Sequence, residues 1–141
     1  MTSEQINLVK ENFNQIAPLA DEVASEFYQR LFQLDASLRP LFKEDLTEQK
    51  KKLMMMLKFA VGTLDRMEVF EPSLEELGRK HAAYGVVETH YETVGNALIL
   101  TLREMLGAGL TEQLEAAWIA AYTLIAGTMQ RNVHTVRAQP A

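Results

Sequence analysis

The sequence contains no cysteine among its 141 residues. Disulfide staples, thiolate metal sites and thiol nucleophiles are therefore excluded, and the composition suits a reducing compartment. Basic charge is in deficit: 14 Lys and Arg stand against 19 Asp and Glu, a net charge of −5, which argues against nucleic acid as the main partner. No apolar run approaches the roughly 20 residues that a membrane-crossing helix needs, so no membrane partner is expected. The start, Met-Thr-Ser-Glu-Gln-Ile-Asn, lacks a basic segment followed by an apolar one, so no signal peptide is expected and the location predicted is cytoplasmic. Nothing reads as a strand or hairpin, and no repeat, low-complexity segment or linker interrupts the chain. Glu-x-x-His does not occur either, which removes the paired carboxylate–histidine motif of di-iron bundles.

What is present is an ordinary globular balance, 48% hydrophobic and 23% charged, over a length that suits one domain spanning 1–141, structured over about 3–134. Its periodicity is helical nearly everywhere. Residues 3–16 place Ile6, Val9, Phe13 and Ile16 on one face, with Thr2 or Ser3 as N-cap. Pro18 opens a second helix, 18–34, carrying Val23, Phe27 and Leu31, with Ala24, Tyr28 and Phe32 beside them. Pro40 suits a short turn ahead of Leu41 and Phe42. A third helix, from about Thr47 to Leu64, has Gln49, Leu53, Met56, Leu57 and Ala60 as inward candidates and its lysines mostly towards solvent. The run Met54-Met55-Met56 reads as packing material, because three consecutive helical positions cannot all face inward. Thr89 to Glu92 reads as a capping box for a long helix with Val94, Leu98, Leu102 and Met105 in register, stopped by Gly107 and Gly109. Thr111 caps a last helix burying Leu114, Trp118, Tyr122, Ile125 and Met129. A loose tail is expected from about Thr135.

The chain is organised around 73–91, Ser-Leu-Glu-Glu-Leu-Gly-Arg-Lys-His-Ala-Ala-Tyr-Gly-Val-Val-Glu-Thr-His-Tyr. Arg66 to Glu71 reads as a connection, and Pro72 should discourage a helix arriving from upstream. Ser73 and Glu76 then form a capping box. Leu74, Leu77, His81 and Tyr84 follow at helical spacing, Arg79 and Lys80 point to a rim, and Gly85 permits a left-handed stop. An imidazole aimed inward here is either a ligand or a buried, hydrogen-bonded side chain, the commoner outcome for a lone histidine. Tyr28 alone could be a core tyrosine, Gln49 a surface residue of a first helical turn, and Phe42, Leu53 and Trp118 plain core. His90 and His134 suit the surface.

Taken in order, Tyr28, Phe42, Gln49, Leu53 and His81, with the run from Leu77 to Tyr91, resemble the globin family. More narrowly, the chain looks like the bacterial single-domain haemoglobins related to the haem domain of flavohaemoglobins, and the run from Leu77 to Tyr91 is close to that of Hell's Gate-type globins. The resemblance spans about residues 3–130. It implies an all-α globin fold of seven or eight helices around a haem pocket, with haem b as cofactor. His81 matches the proximal iron ligand and Phe42 the phenylalanine on the porphyrin face. Tyr28 and Gln49 match the distal polar pair, with Leu53 over the iron. Tyr91 matches a tyrosine ten residues after the proximal histidine, and Trp118 a tryptophan of the last helix. Leu57, Leu77 and Val94 become cofactor-lining positions, and Lys52, Arg79 and Lys80 candidate partners of the haem propionates.

The chemistry suits those residue types. A neutral imidazole is the axial ligand that globins use, and distal donors decide whether bound oxygen is held or activated. A glutamine amide donates without needing protonation. The function implied is reversible binding of oxygen, and of nitric oxide and other diatomics, at a pentacoordinate or weakly coordinated iron, in a monomer or weak homodimer. The alternatives are a nitric oxide dioxygenase fed by an external reductase, a haem-based gas sensor, and a haem-free helical interaction domain. One departure stands out. The flavohaemoglobin pattern has a glutamate on the last helix; a gap-free match places Val133 there, and no acidic residue follows Glu115. The resemblance therefore leaves the enzyme's proximal network incomplete, and a better oxygen binder than peroxidase is expected.

Overall fold

Thr2 starts the first helix as its sequence predicts. In the computed structural model, which describes residues 1–131, Thr2 accepts from the Gln5 amide at 3.1 Å while the Gln5 side chain accepts from the Thr2 amide at 3.1 Å. Helix α1, Ser3–Ile16, buries Val9, Asn12, Phe13 and Ile16. Helix α2, Ala20–Leu34, follows one short turn later and buries Val23, Ala24, Phe27, Tyr28 and Leu31. Helix α3 is Thr47–Thr63, α4 Met67–Ala83, α5 Glu88–Leu106 and α6 Glu112–Gln130. Thr111 caps α6 by accepting from the Leu114 amide at 3.1 Å. No strand occurs among the described residues.

Among the described residues the helix count is lower than the seven or eight expected: six α-helices and three 3-10 segments. The stretches holding Pro18 (Ala17–Leu19), Pro40 (Ala36–Leu41) and Gly107 (Gly107–Gly109) wind only into 3-10 turns. The expected break before Ser73 is also absent. α4 begins at Met67 and runs through Pro72, so Arg66 to Glu71 is mostly helix and Ser73 lies exposed inside it, capping nothing. Proline so near an N-terminus forfeits a single backbone bond, to the carbonyl of Glu68, and burial of Leu74 at 0% exposure offsets that loss. The start of α5 also differs. Val87 is the N-cap, the His90 ring accepts from the Val87 amide at 3.1 Å, and Thr89 lies within the helix.

α2 packs on α5, α4 on α6, and α1 on α6, with α3 laid across α1 and α2. Val9, Phe13, Val23, Phe27, Leu31, Leu98, Leu102, Ala117 and Trp118 form the shared core. Each large side chain buried there contributes about 1.5–3 kcal/mol. Two glycines set the closest approaches. A Cβ on Gly78 of α4 would lie 1.6 Å from the Met129 carbonyl oxygen of α6, and one on Gly95 of α5 would lie 2.7 Å from the Tyr122 ring. Polar ties complete the frame: the Trp118 indole donates to the buried Asn12 side chain at 2.9 Å, and Lys10 pairs with Asp65 at 2.8 Å.

Candidate functional site

The histidine segment is fixed by how α4 ends. Gly85 has φ +91°, a left-handed value that suits glycine. The Val86 amide then donates to the His81 carbonyl at 3.0 Å, and the Gly85 amide to that of Ala82 at 3.0 Å, the two bonds of a Schellman stop. His81 is half-buried in the final turn, and its Nδ1 lies 2.8 Å from the Leu77 carbonyl oxygen. A carbonyl only accepts, so Nδ1 carries the proton and Nε2 presents a lone pair. The imidazole is thus backed by a backbone carbonyl and not by a carboxylate. Tyr91 does not hold the ring: its hydroxyl makes no hydrogen bond to His81, and its carbonyl accepts from the Tyr122 hydroxyl at 2.6 Å. Burial raises the hydroxyl pKa of Tyr91 and, with Tyr91 adding to the effect, that of Tyr122.

Tyr28 and Gln49 are brought together from α2 and the first turn of α3. The Gln49 amide donates to the Tyr28 hydroxyl oxygen at 3.1 Å. The Tyr28 hydroxyl in turn points at the Gln49 backbone carbonyl at 3.5 Å, long enough to leave its proton free to re-aim. Burial pushes the Tyr28 hydroxyl above the usual phenol range, with the Gln49 bond pulling the other way. The group therefore stays protonated, a donor, at neutral pH. Phe42 stacks edge-on against Tyr28 at 5.7 Å and lies 5.6 Å from Phe32. The loop holding Phe42 is clamped by Arg39, which donates to the carbonyls of Phe42, Lys43 and Glu44 at 3.4, 3.0 and 2.9 Å and lies over the Phe32 ring. Asp45 then accepts from the Thr47 amide at 2.9 Å and so starts α3.

Leu53 and Leu57 of α3 and Val94 of α5 pack half-buried against the core, as does Phe42. Leu77 is half-buried on α4, and Tyr91 on α5. Lys52 and Lys80 are exposed and have no ion-pair partner among the described residues, whereas Arg79 is committed to Glu76 at 2.8 Å. Tyr84 departs from its expected inward position. It is 85% exposed, because α4 stops at Ala83 and the register ends with it. His90 is half-buried rather than on the open surface. Val133 and His134 lie outside the described residues. Sequence reasoning missed Gly78, Gly95, the Arg39 clamp and the Asn12–Trp118 bond. A glycine amid good helix formers was the only advance sign of the first two.

The arrangement offers one imidazole with a free Nε2, a set of half-buried apolar and aromatic side chains, and a paired hydroxyl and amide. That donor set fits a flat hydrophobic group carrying an iron that accepts one imidazole, the requirement of haem.

Comparison with known proteins agrees. The family model described as Globin matches residues 25–129. Neuroglobin of Danio rerio is 32% identical over 118 residues, covering 74% of each chain. The flavohemoprotein of Vibrio cholerae is 29% identical over 131 residues; 89% of this chain is matched, but the chain spans about a third (33%) of that relative's length. A bacterial globin structure from Campylobacter jejuni superposes with TM-score 0.85 at 25% identity, covering 98% of this chain and all of that one. The chain belongs to the globin family.

Proposed function

We propose that this globin carries haem b on His81 and reversibly binds oxygen, and nitric oxide at the same place, on the side of Tyr28 and Gln49. The observation that carries the reading is the contact of His81 Nδ1 with the Leu77 carbonyl at 2.8 Å: a carbonyl can only accept, so Nδ1 is the donor and Nε2 is left as the ligating atom of the neutral ring. The haem supplies an iron able to take a diatomic ligand. Everything else falls to the protein. Leu53, Leu57, Leu77, Val94 and Phe42 provide apolar contact with the ring. Tyr91 adds a half-buried aromatic face, and Lys52 and Lys80 are the cations free to meet the propionates. The Tyr28 hydroxyl turns from the Gln49 carbonyl to a bound ligand, while the Gln49 amide holds the hydroxyl oxygen and keeps its proton aimed. The whole 1–141 chain acts as one domain in this reading, as a monomer or weak homodimer.

The test is a titration of the purified protein with haemin, followed by reduction and exposure to oxygen, then evacuation. One equivalent should be taken up, with a Soret band that shifts on oxygenation and returns on evacuation. A chain that takes up no haem, or whose spectrum ignores oxygen, removes the proposal. A second reading, a nitric oxide dioxygenase supplied by an external reductase, is favoured by the Tyr28–Gln49 pair and by the likeness to a flavohemoprotein. Sustained nitric oxide turnover with a supplied reductant would move it to first place. The gas-sensor and haem-free readings have no such support.

A further inference from the structure

We propose that the solvent face of α3 from Lys51 to Phe59, together with Phe70 of α4, is the docking surface for an acidic one-electron carrier protein; this rests on the haem reading above. The charge pattern is the first ground. From Lys50 to Leu64 the chain has four lysines and no acidic residue. Residues 39–58 hold six basic and three acidic residues, which leaves eight basic and sixteen acidic for the rest of the chain. A segment of +3 thus sits in a molecule that is otherwise −8.

The second ground is shape. Lys51, Met55 and Lys58 recur at intervals of four and three, so they share one helix face, and Phe59 is one turn beyond Met55. Met55 is 70% exposed and Phe59 38%. The Phe59 ring meets Phe70 edge to face at 5.7 Å, and the Arg66 guanidinium covers Phe70 at 5.7 Å. Lys51 has one acidic neighbour, Glu48 at 3.7 Å, in a pair exposed enough to exchange partners freely. Lys58 has no ion-pair partner among the described residues. The result is an apolar centre with Lys51 and Lys58 beside it on α3 and Arg66 over Phe70, while the acidic neighbours Asp65 and Glu71 are paired with Lys10 and Arg131. It is about 12 Å long at helical rise, suited to a small transient electron-transfer contact.

Position supplies the third ground. Gln49 and Leu53 lie on the half-buried side of this same helix, so a carrier seated on its outer side would be separated from the proposed ligand side by about one helix diameter, roughly 10 Å. Charge also selects the occupant. An extended polyanion, whether an anionic bilayer or a nucleic acid, would meet the −8 remainder as well, whereas a small acidic carrier can address the positive face alone. The step itself moves one electron: the carrier is oxidised by one, the iron goes from ferric to ferrous, and no atom or proton changes place.

The test follows reduction of the haem-loaded protein by reduced flavodoxin, an acidic flavin carrier, under carbon monoxide. Lys51→Glu with Lys58→Glu should slow the second-order step about tenfold at low ionic strength, and the difference should shrink at high salt. Asn14→Glu, Gln29→Glu, Asn96→Glu and Gln113→Glu together make the same change in net charge at exposed positions elsewhere, and should slow it far less. Met55→Ser should weaken saturation by the carrier without altering the salt slope. Dithionite should reduce all variants alike, and their haem content should match, which separates a lost dock from a damaged haem site. The proposal is overturned if the reversals leave the flavodoxin rate intact, or if the scattered set slows it equally. It is also overturned if the wild type sediments with phosphatidylserine vesicles and the same reversals release it. Failure to load haem would instead sink the proposed function.

Discussion

Gly78→Ala tests the fold at the point where it supports the histidine. The added Cβ would stand 1.6 Å from the Met129 oxygen, 2.4 Å from its carbonyl carbon and 2.8 Å from its Cα, all backbone atoms that cannot rotate aside. Real Cβ contacts essentially never fall below 3.0 Å, so α4 and α6 would have to part by about 1.4 Å. Overpacking of this severity costs about 3 kcal/mol, and alanine's better helix propensity returns about 1, a net loss of about 2 kcal/mol. For a chain of this size that lowers Tm by roughly 7 °C. Gly127→Ala in α6 is the matched control. Among the described residues nothing lies within 4 Å of a Cβ there, so it should gain about 0.5–1 kcal/mol. Equilibrium urea unfolding followed by circular dichroism measures both. Because Gly78 precedes His81 by three residues, the first variant should also change the haem spectrum and the second should not. Gly78→Ala as stable as Gly127→Ala would refute the close approach.

Further outcomes follow from the same contacts. In the proposed pocket Tyr28 donates to a ligand with partial negative charge, so Tyr28→Phe should speed oxygen dissociation about tenfold, with carbon monoxide less affected; equal acceleration of both, read by stopped flow, would point to a steric effect. Asn12→Ala strands the buried Trp118 indole donor and should cost about 1–3 kcal/mol in urea unfolding, whereas no loss would show the bond to be dispensable. Tyr28, Tyr91 and Tyr122 all have hydroxyl pKa values raised in the folded state, so above about pH 10 the unfolded chain binds fewer protons and stability falls as pH rises. Tyr122→Phe should flatten that alkaline slope by up to about 1.4 kcal/mol per pH unit, and an unchanged slope would exclude this tyrosine as its source.

Legibility of the sequence followed the range of the interactions. Caps at Thr2 and Thr111 and the stop at Gly85 are set within a few residues, and they were readable. Pro72 misled because a local preference was weighed without the packing of α4 on α6. Tyr84 misled because periodicity was carried one residue past the helix end. In the site, His81, Tyr28 and Gln49 were legible as a pattern. Their partners were less so: the Leu77 carbonyl that accepts from the imidazole is one helical turn away, but the Arg39 clamp on three carbonyls and the contact of Gly78 with Met129 depend on how the backbone folds back on itself.

The central claim is that His81 Nε2 holds the haem iron. Resonance Raman spectra of the reduced, ligand-free protein reconstituted with one equivalent of haemin address it directly. The account predicts an iron–imidazole stretch in the wild type, at the lower-frequency end expected for an imidazole backed by a carbonyl rather than a carboxylate. The band should be lost in His81→Gly and restored by added imidazole. Persistence of the same band in His81→Gly without imidazole would contradict it.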